Sequence, residues 1–190
     1  MTDEYSSLST SDEYFSLPTS PEMLLSSLTT LGIITTTYCH SPVFTVADSH
    51  NVCQHLPGRH CKSLFLKDKK HTQFWLLMMC AERRLDLHHL SIRLGTKRLS
   101  FASADQLWRI LGVRPGSVSP FALINDTAHL VTVLLDRDMM SHSLLNYHPL
   151  VNDRTTVIRS DDLLKFLTVY GYVPLVIDLD AHSAITKTIE

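Results

Sequence analysis

The first 53 residues contain no lysine or arginine, although they hold six acidic side chains. With the acidic, polar start Met1 to Ser6, that absence argues against a secretory signal or a transit peptide. No apolar run approaches the roughly 20 residues needed to cross a bilayer; the longest, Phe74 to Ala81, is eight. Glycine is scarce, with six in 190 residues, and none forms a G-x-G-x-x-G or phosphate-loop pattern. G-x-S-x-G and H-E-x-x-H are also missing, which removes the common hydrolase and zinc-protease signatures. The four cysteines show no C-x-x-C spacing, so reduced thiols are expected. Cys39-His40 and His60-Cys61 are suggestive, but without paired ligand spacing no metal is expected.

What the chain does have is a 44% hydrophobic composition and a length suited to one domain. Residues 54–116 carry twelve basic side chains against four acidic ones. Such an inner basic segment in a weakly acidic protein suits a local anionic partner such as an RNA backbone. The opposing reading is that charges distant in sequence mix on the folded surface. A cytoplasmic location is expected from the polar N-terminus.

Residues 1–19, rich in Ser, Thr and acids, read as a mobile tail; 20–180 read as one domain, and 181–190 as a second tail. Ser20-Pro21-Glu22 signals a helix start, Leu24, Leu25, Leu28 and Leu31 give it an apolar stripe, and Gly32 a stop. Ile33 to Tyr38 reads as a strand and Ala47 to Leu56 as a short helix. A hairpin pairs Lys62–Leu66 with Gln73–Cys80 across residues 68–72. Further helices fall at 85–94, at 104–111 capped by Ser103, and at 160–170 capped by Ser160. Further strands fall at 99–101, 131–135, 155–158 and 175–179. Strands and helices mix without strict βαβ alternation, so the fold class is α+β.

Lys62 is the first residue that this plan does not explain. Strand alternation puts it on one face with Leu64 and Leu66, while Ser63, Phe65 and Lys67 face the other way. A covered ammonium needs a partner or a pocket mouth; a lysine snorkelling from a frayed strand end is the plainer alternative. Two other segments share this character. Gly112 to Asp126 contains two glycines and two prolines within nine residues, a defined loop in which Gly116 permits close backbone approach. In Leu145 to Asn152, Pro149 holds His148 extended.

These segments carry a resemblance. Gly116-x-x-x-Pro120 is similar to the G-x-x-x-P loop of the YbaK and prolyl-tRNA synthetase editing domains, and Lys62 matches their pocket lysine. His40-Ser41-Pro42-Val43-Phe44-Thr45, Lys97 to Ser103, Ser119 to Asn125 and Asn146 to Asn152 resemble the free-standing alanyl-tRNA(Pro) deacylases (ProX or PrdX proteins). The resemblance runs in order from about residue 21 to 179. It implies a mixed, partly barrel-like β-sheet with flanking helices, one pocket, and hydrolysis of alanine mistakenly attached to tRNA(Pro), with no cofactor.

On that resemblance Lys62 holds the terminal phosphate or carbonyl oxygen, and the amides of Gly116, Ser117, Val118 and Ser119 cradle the oxyanion. His148 positions substrate or water, helped by the 2′-hydroxyl of the tRNA. His40, Phe44, Thr45, Ser63, Pro120, Leu123, Ile124, Asn125, Tyr147 and Asn152 are candidates to line the substrate pocket. Lys67, Lys69, Lys70, Lys97 and Arg98 are candidates for acceptor-stem phosphates, with prolyl-tRNA synthetase a second candidate partner. Ser63 stands where the family commonly has asparagine. The alternatives are therefore a deacylase of cysteinyl or seryl esters, or a homologue that binds tRNA or synthetase with little catalysis.

Overall fold

A computed structural model describes residues 18–43, 55–70 and 72–185. Its eight strands are β1 (Thr36–Cys39), β2 (Arg59–Asp68), β3 (Phe74–Cys80), β4 (Leu99–Phe101), β5 (Val131–Asp136), β6 (Leu144–Tyr147), β7 (Arg154–Arg159) and β8 (Leu175–Ile177). They form one mixed sheet in the order β1-β7-β6-β2-β3-β5-β8, with β4 pairing on β2. β2 pairs antiparallel with β3 and parallel with β6, while β3, β5 and β8 run parallel. The fold is α+β with a mixed sheet and flanking helices, as the sequence and the resemblance indicate; among the described residues β1 and β8 are its edges, and the sheet is not closed.

The helices are α1 (Pro21–Thr30), α2 (Leu87–Arg93), α3 (Ala104–Leu111), α4 (Arg137–Met140) and α5 (Ser160–Val169), with a 3₁₀ turn at Pro120–Asn125. Ser20 caps α1 by accepting from the Met23 amide at 3.2 Å. Ser103 and Gln106 form a reciprocal capping box at α3. Gly112 then ends α3 at φ +61, where an added Cβ would lie 2.8 Å from Asn125 Nδ2. Ser160 is not the cap expected: it is the first residue of α5, behind Arg159, and Asp161 and Asp162 supply the first-turn charge instead. The expected helix at 47–56 falls mostly outside the described residues.

The two faces of the sheet bury different clusters. Leu24 and Leu28 of α1, Leu107 of α3 and Phe166 of α5 pack on Phe65, Met78, Val133, Leu145, Tyr147 and Ile158. The other face packs Leu66, Trp75, Leu77, Met79 and Leu134 against Leu90 of α2, Leu99 and Ile177. Alternation therefore sends Cys61, Ser63 and Phe65 to the first face and His60, Lys62, Leu64 and Leu66 to the second, as the periodicity requires. In β6, Leu145 and Tyr147 go to the first face, so Asn146 and the following His148 face the same way as His60 and Lys62.

Candidate active site

The parallel pairing of β2 with β6 sets His60 against Asn146. That register carried two residues further puts Lys62 and His148 at the same level, where the ladder has ended. β7 adds Thr155, and β1 leads into His40. A narrow cleft of about 30 Å³ opens here, lined by His60, Cys61, Val118, Asn146, Tyr147, His148 and Thr155.

His148 is held in one orientation. Its Nδ1 lies 2.9 Å from the Arg154 carbonyl oxygen. A carbonyl only accepts, so Nδ1 carries the proton and Nε2 keeps the lone pair. Burial lowers the His148 pKa below the ordinary histidine value, and His40 and His60 lower it further against the pull of the Arg154 carbonyl. The result is a neutral imidazole with one basic nitrogen. His40 stands beside it, ring centroids 5.9 Å apart. Its own nitrogens are engaged, Nδ1 with Ser41 O at 2.8 Å and Nε2 with Thr155 Oγ1 at 2.9 Å.

Lys62 does not line this cleft. Its ammonium donates to the carbonyls of Ala81 at 2.9 Å and of Arg83, just past β3. Desolvation lowers its pKa, and Glu82 partly offsets that. Two of its three N–H groups are thereby directed. The snorkelling alternative is not what the chain does.

Asn146 is the polar residue that sequence reasoning passed over. It is 2% exposed, and neither its amide nitrogen nor its amide oxygen has a hydrogen-bond partner among the described residues. An unpaired buried amide costs about 1–3 kcal/mol, which sets Asn146 apart in the cleft wall. The signal was available: Asn146 lies inside the Asn146–Asn152 motif, one residue out of phase with the apolar Leu145 and Tyr147. His60, Cys61 and Thr155 were also passed over, because only the sheet brings them to His148. Burial pushes the Cys61 thiol up to about 12, which makes it a poor nucleophile.

The loop from Gly116 delivers Val118 to the cleft wall. Gly116 itself is at φ +92. The Ser117 amide donates to Arg114 O at 3.1 Å, which withdraws it from an oxyanion cradle. The Ser119 side chain is fully buried and its hydroxyl has no partner among the described residues. Pro120 begins the 3₁₀ turn, and Leu123 belongs to the core with Phe121, while Ile124 packs against it. The Asn125 side chain is spent on structure, donating to Leu111 O at 2.9 Å and accepting from Thr19 at 2.7 Å. Asn152 binds the Val43 carbonyl at 2.9 Å, so it ties the His40 turn to the segment after His148. Tyr147 is core, with its hydroxyl 3.0 Å from Met139 Sδ and its ring edge-on to Phe121. Ser63 faces the opposite side of the sheet from Lys62, its buried hydroxyl without a partner among the described residues. Phe44 and Thr45 lie outside the described residues.

The basic candidates separate. Lys67 is tied to Gln106 Oε1 at 2.9 Å. Lys69, Lys70, Lys97 and Arg98 are exposed, and the pairing of Asp68 with Leu99 brings Lys69 opposite Arg98 at one end of the sheet. Among the described residues one group of metal-ligating side chains converges, Cys80, Asp138 and His142, with donor atoms within 4.8 Å. Burial raises the Cys80 thiol above its ordinary pKa, which favours the protonated form over a metal-binding thiolate, and the nearby Arg59 guanidinium pairs with Glu82 at 3.1 Å.

A model of the aminoacyl-tRNA editing domain matches residues 40–166, which contain all of the cleft residues. The chain belongs to the aminoacyl-tRNA editing domain family. It is accordingly an ester hydrolase of the aminoacyl-tRNA deacylase type. It is 40% identical over 152 residues to prolyl-tRNA synthetase associated domain-containing protein 1 of Danio rerio, covering 79% of this chain and 82% of that one. It is 32% identical over 150 residues to the prolyl-tRNA editing protein ProX of Acetoanaerobium sticklandii, covering 79% and 92%. A crystal structure described as a candidate trans-editing enzyme for prolyl tRNA synthetase shares the fold, with a TM-score of 0.63 at 20% identity over 92% of this chain and 99% of that one.

Proposed function

We propose that this chain works in trans on mischarged tRNA(Pro) and that the amino acid it removes is alanine. The single observation that carries this reading is the face shared by His60, Lys62, Asn146 and His148, with its small polar cleft. In ester hydrolysis a water oxygen attacks the carbonyl carbon, negative charge grows on the carbonyl oxygen, and the bond to the ribose 3′-oxygen breaks. The third N–H of Lys62 faces that charge or the adjacent phosphate. His148 Nε2 accepts a hydrogen bond from the attacking water or from the 2′-hydroxyl, which orients it. The proton lost by the water ends on the 3′-oxygen, giving free amino acid and tRNA.

Size supports alanine. In so narrow a cleft a methyl group is the easier fit, and the pyrrolidine ring of proline is expected to meet the Val118 and Tyr147 walls. Asn146 favours a second reading, because its unpaired amide suits a hydroxyl-bearing side chain such as serine. The exposed Lys69, Lys70, Lys97 and Arg98 lie at the far end of β2, about 20 Å along the strand from Lys62. A tRNA acceptor stem spans that separation, whereas a small ester does not. We place the activity in the cytoplasm, where charged tRNA is used, with prolyl-tRNA synthetase as a further partner.

The deciding experiment offers purified protein Ala-, Ser-, Cys- and Pro-tRNA(Pro), with Lys62→Ala as control. Release of alanine with Pro-tRNA(Pro) spared is expected. Preferential release of serine would replace the alanine reading, and release from none of the esters would leave only a tRNA-binding role.

A further inference from the structure

Arg83 acts at two places. Its backbone carbonyl accepts from the Lys62 ammonium. Its guanidinium spans two carboxylates, with Nη1 3.2 and 3.3 Å from the oxygens of Asp136 and Nη2 2.6 Å from Asp180. Asp136 is fully buried at the end of β5. Asp180 is exposed, but it belongs to a C-terminal stretch that is firmly docked. Arg93 donates to Asp178 O at 2.6 Å and Ser183 O at 2.9 Å, and Ile185 N donates back to Arg93 O at 2.9 Å. His89 Nε2 meets Ala181 O at 3.0 Å. The peptide that aims Lys62 is thus clamped between β5 and residues 178–185.

We propose that Arg83 is a positioning residue for the deacylation, and that the C-terminal stretch sets the geometry of Lys62 through it. This rests on the reading above that Lys62 supplies charge at the reacting ester. Lysine is a point charge on a flexible stem, so its direction must come from fixed acceptors. The Ala81 and Arg83 carbonyls are those acceptors, and the second is only as fixed as the residue that carries it. A buried Asp136 alone would need a nearby cation and nothing more. The bond to Asp180 and the shared peptide carbonyl go beyond that need.

Removing Arg83 alone strands a buried carboxylate, so the informative variants are Asp180→Asn, Arg83→Lys and the double variant Arg83→Ala/Asp136→Asn. Asp180→Asn is expected to lower kcat about 10-fold, and the double variant about 100-fold, with KM within about 2-fold, because misplacing a reacting group by an ångström acts on kcat. Arg83→Lys, which keeps a cation between the carboxylates, recovers part of kcat. The unfolding midpoint of Asp180→Asn stays within about 2 °C of the parent. A readout independent of turnover is the ¹H–¹⁵N signal of the Lys62 ammonium, assigned by its loss in Lys62→Ala. It is expected to be protected in the parent and broadened in Asp180→Asn. Parent-like kcat and an unchanged Lys62 signal in Asp180→Asn and the double variant would overturn the positioning role. If the parent releases no amino acid from any ester, the deacylase reading fails by itself, and the lysine signal still decides whether Arg83 orients Lys62.

Discussion

Lys62 and Lys67 stand on the same strand but meet different fates. Lys67 faces α3, where Gln106 Oε1 receives its ammonium. Next to it, Asp68 takes the amides of Lys70, Thr72 and Gln73 and locks the hairpin turn. Those amides, that of Gln73 foremost, hold its carboxyl below the usual carboxylate range. At the other end of β2, Lys62 binds two backbone carbonyls, while Asn146, near His148, is buried and unpaired. The hairpin end is internally satisfied, and the cleft end keeps open valence. Polar groups that hold a fold find partners within it, so a buried one left unsatisfied calls for a different explanation.

The largest expected contrast comes from exchanging the two lysines in turn. Lys62→Ala should cut deacylation about 100-fold or more in kcat with unchanged circular dichroism, the scale of losing one oxyanion donor. Lys67→Ala should leave kcat near the parent value and lose about 1 kcal/mol of stability in urea unfolding, the worth of one hydrogen bond. Equal kcat losses in the two variants would erase the distinction between the ends of β2.

Asn146→Leu comes next. Replacing an unpaired buried amide with a similar-sized apolar group should raise stability by about 1 kcal/mol while lowering kcat/KM about 10-fold. A stability loss would mean that the amide is satisfied after all and that the cleft end resembles the hairpin end.

The pH profile follows from His148. Its folded pKa is lowered, so the neutral form, and with it kcat, should be fully present at pH 7 and fall only as pH drops below the ordinary histidine value of about 6.5. The stability sign agrees: between the lowered folded pKa and the unfolded one the unfolded chain binds more protons. This contribution is therefore complete above about pH 6.5 and lost as pH falls towards the folded pKa. A His148→Gln variant with the same acid limb would assign that limb to another group.

The smallest effect is at the exposed bases. Lys69→Ala/Lys70→Ala should raise KM about 5-fold for tRNA substrates and flatten the salt dependence of binding, with kcat unchanged. A kcat change instead would bring the hairpin end into the chemistry.

Much of this was legible in local sequence. Ser20-Pro21-Glu22 and Ser103 with Gln106 carry capping chemistry within four residues, so α1 and α3 began where expected. Leu99–Phe101 and the hairpin strands declared themselves by composition. Lys62 was conspicuous because a two-residue period assigns its face without any knowledge of the neighbours. Residues 144–147 were assigned to no strand, since a four-residue strand next to His-Pro gives little periodicity; pairing with β2 and β7 makes it one. Ser160 looked like a cap, but Arg159 remains in β7 and moves the boundary by one residue.

The sequence by itself determined which residues could not belong quietly to a core: a lysine in a strand, a histidine before proline, a loop stiffened by prolines. Those are local properties, set by side-chain chemistry and by φ restrictions on single residues. Tertiary structure alone decided that His60 meets Asn146, that the Lys62 ammonium is held by the peptide after β3, and that Arg83 links that peptide to Asp136 and Asp180. Each of these joins residues from separate elements, and strand register, which no single segment encodes, brings them together.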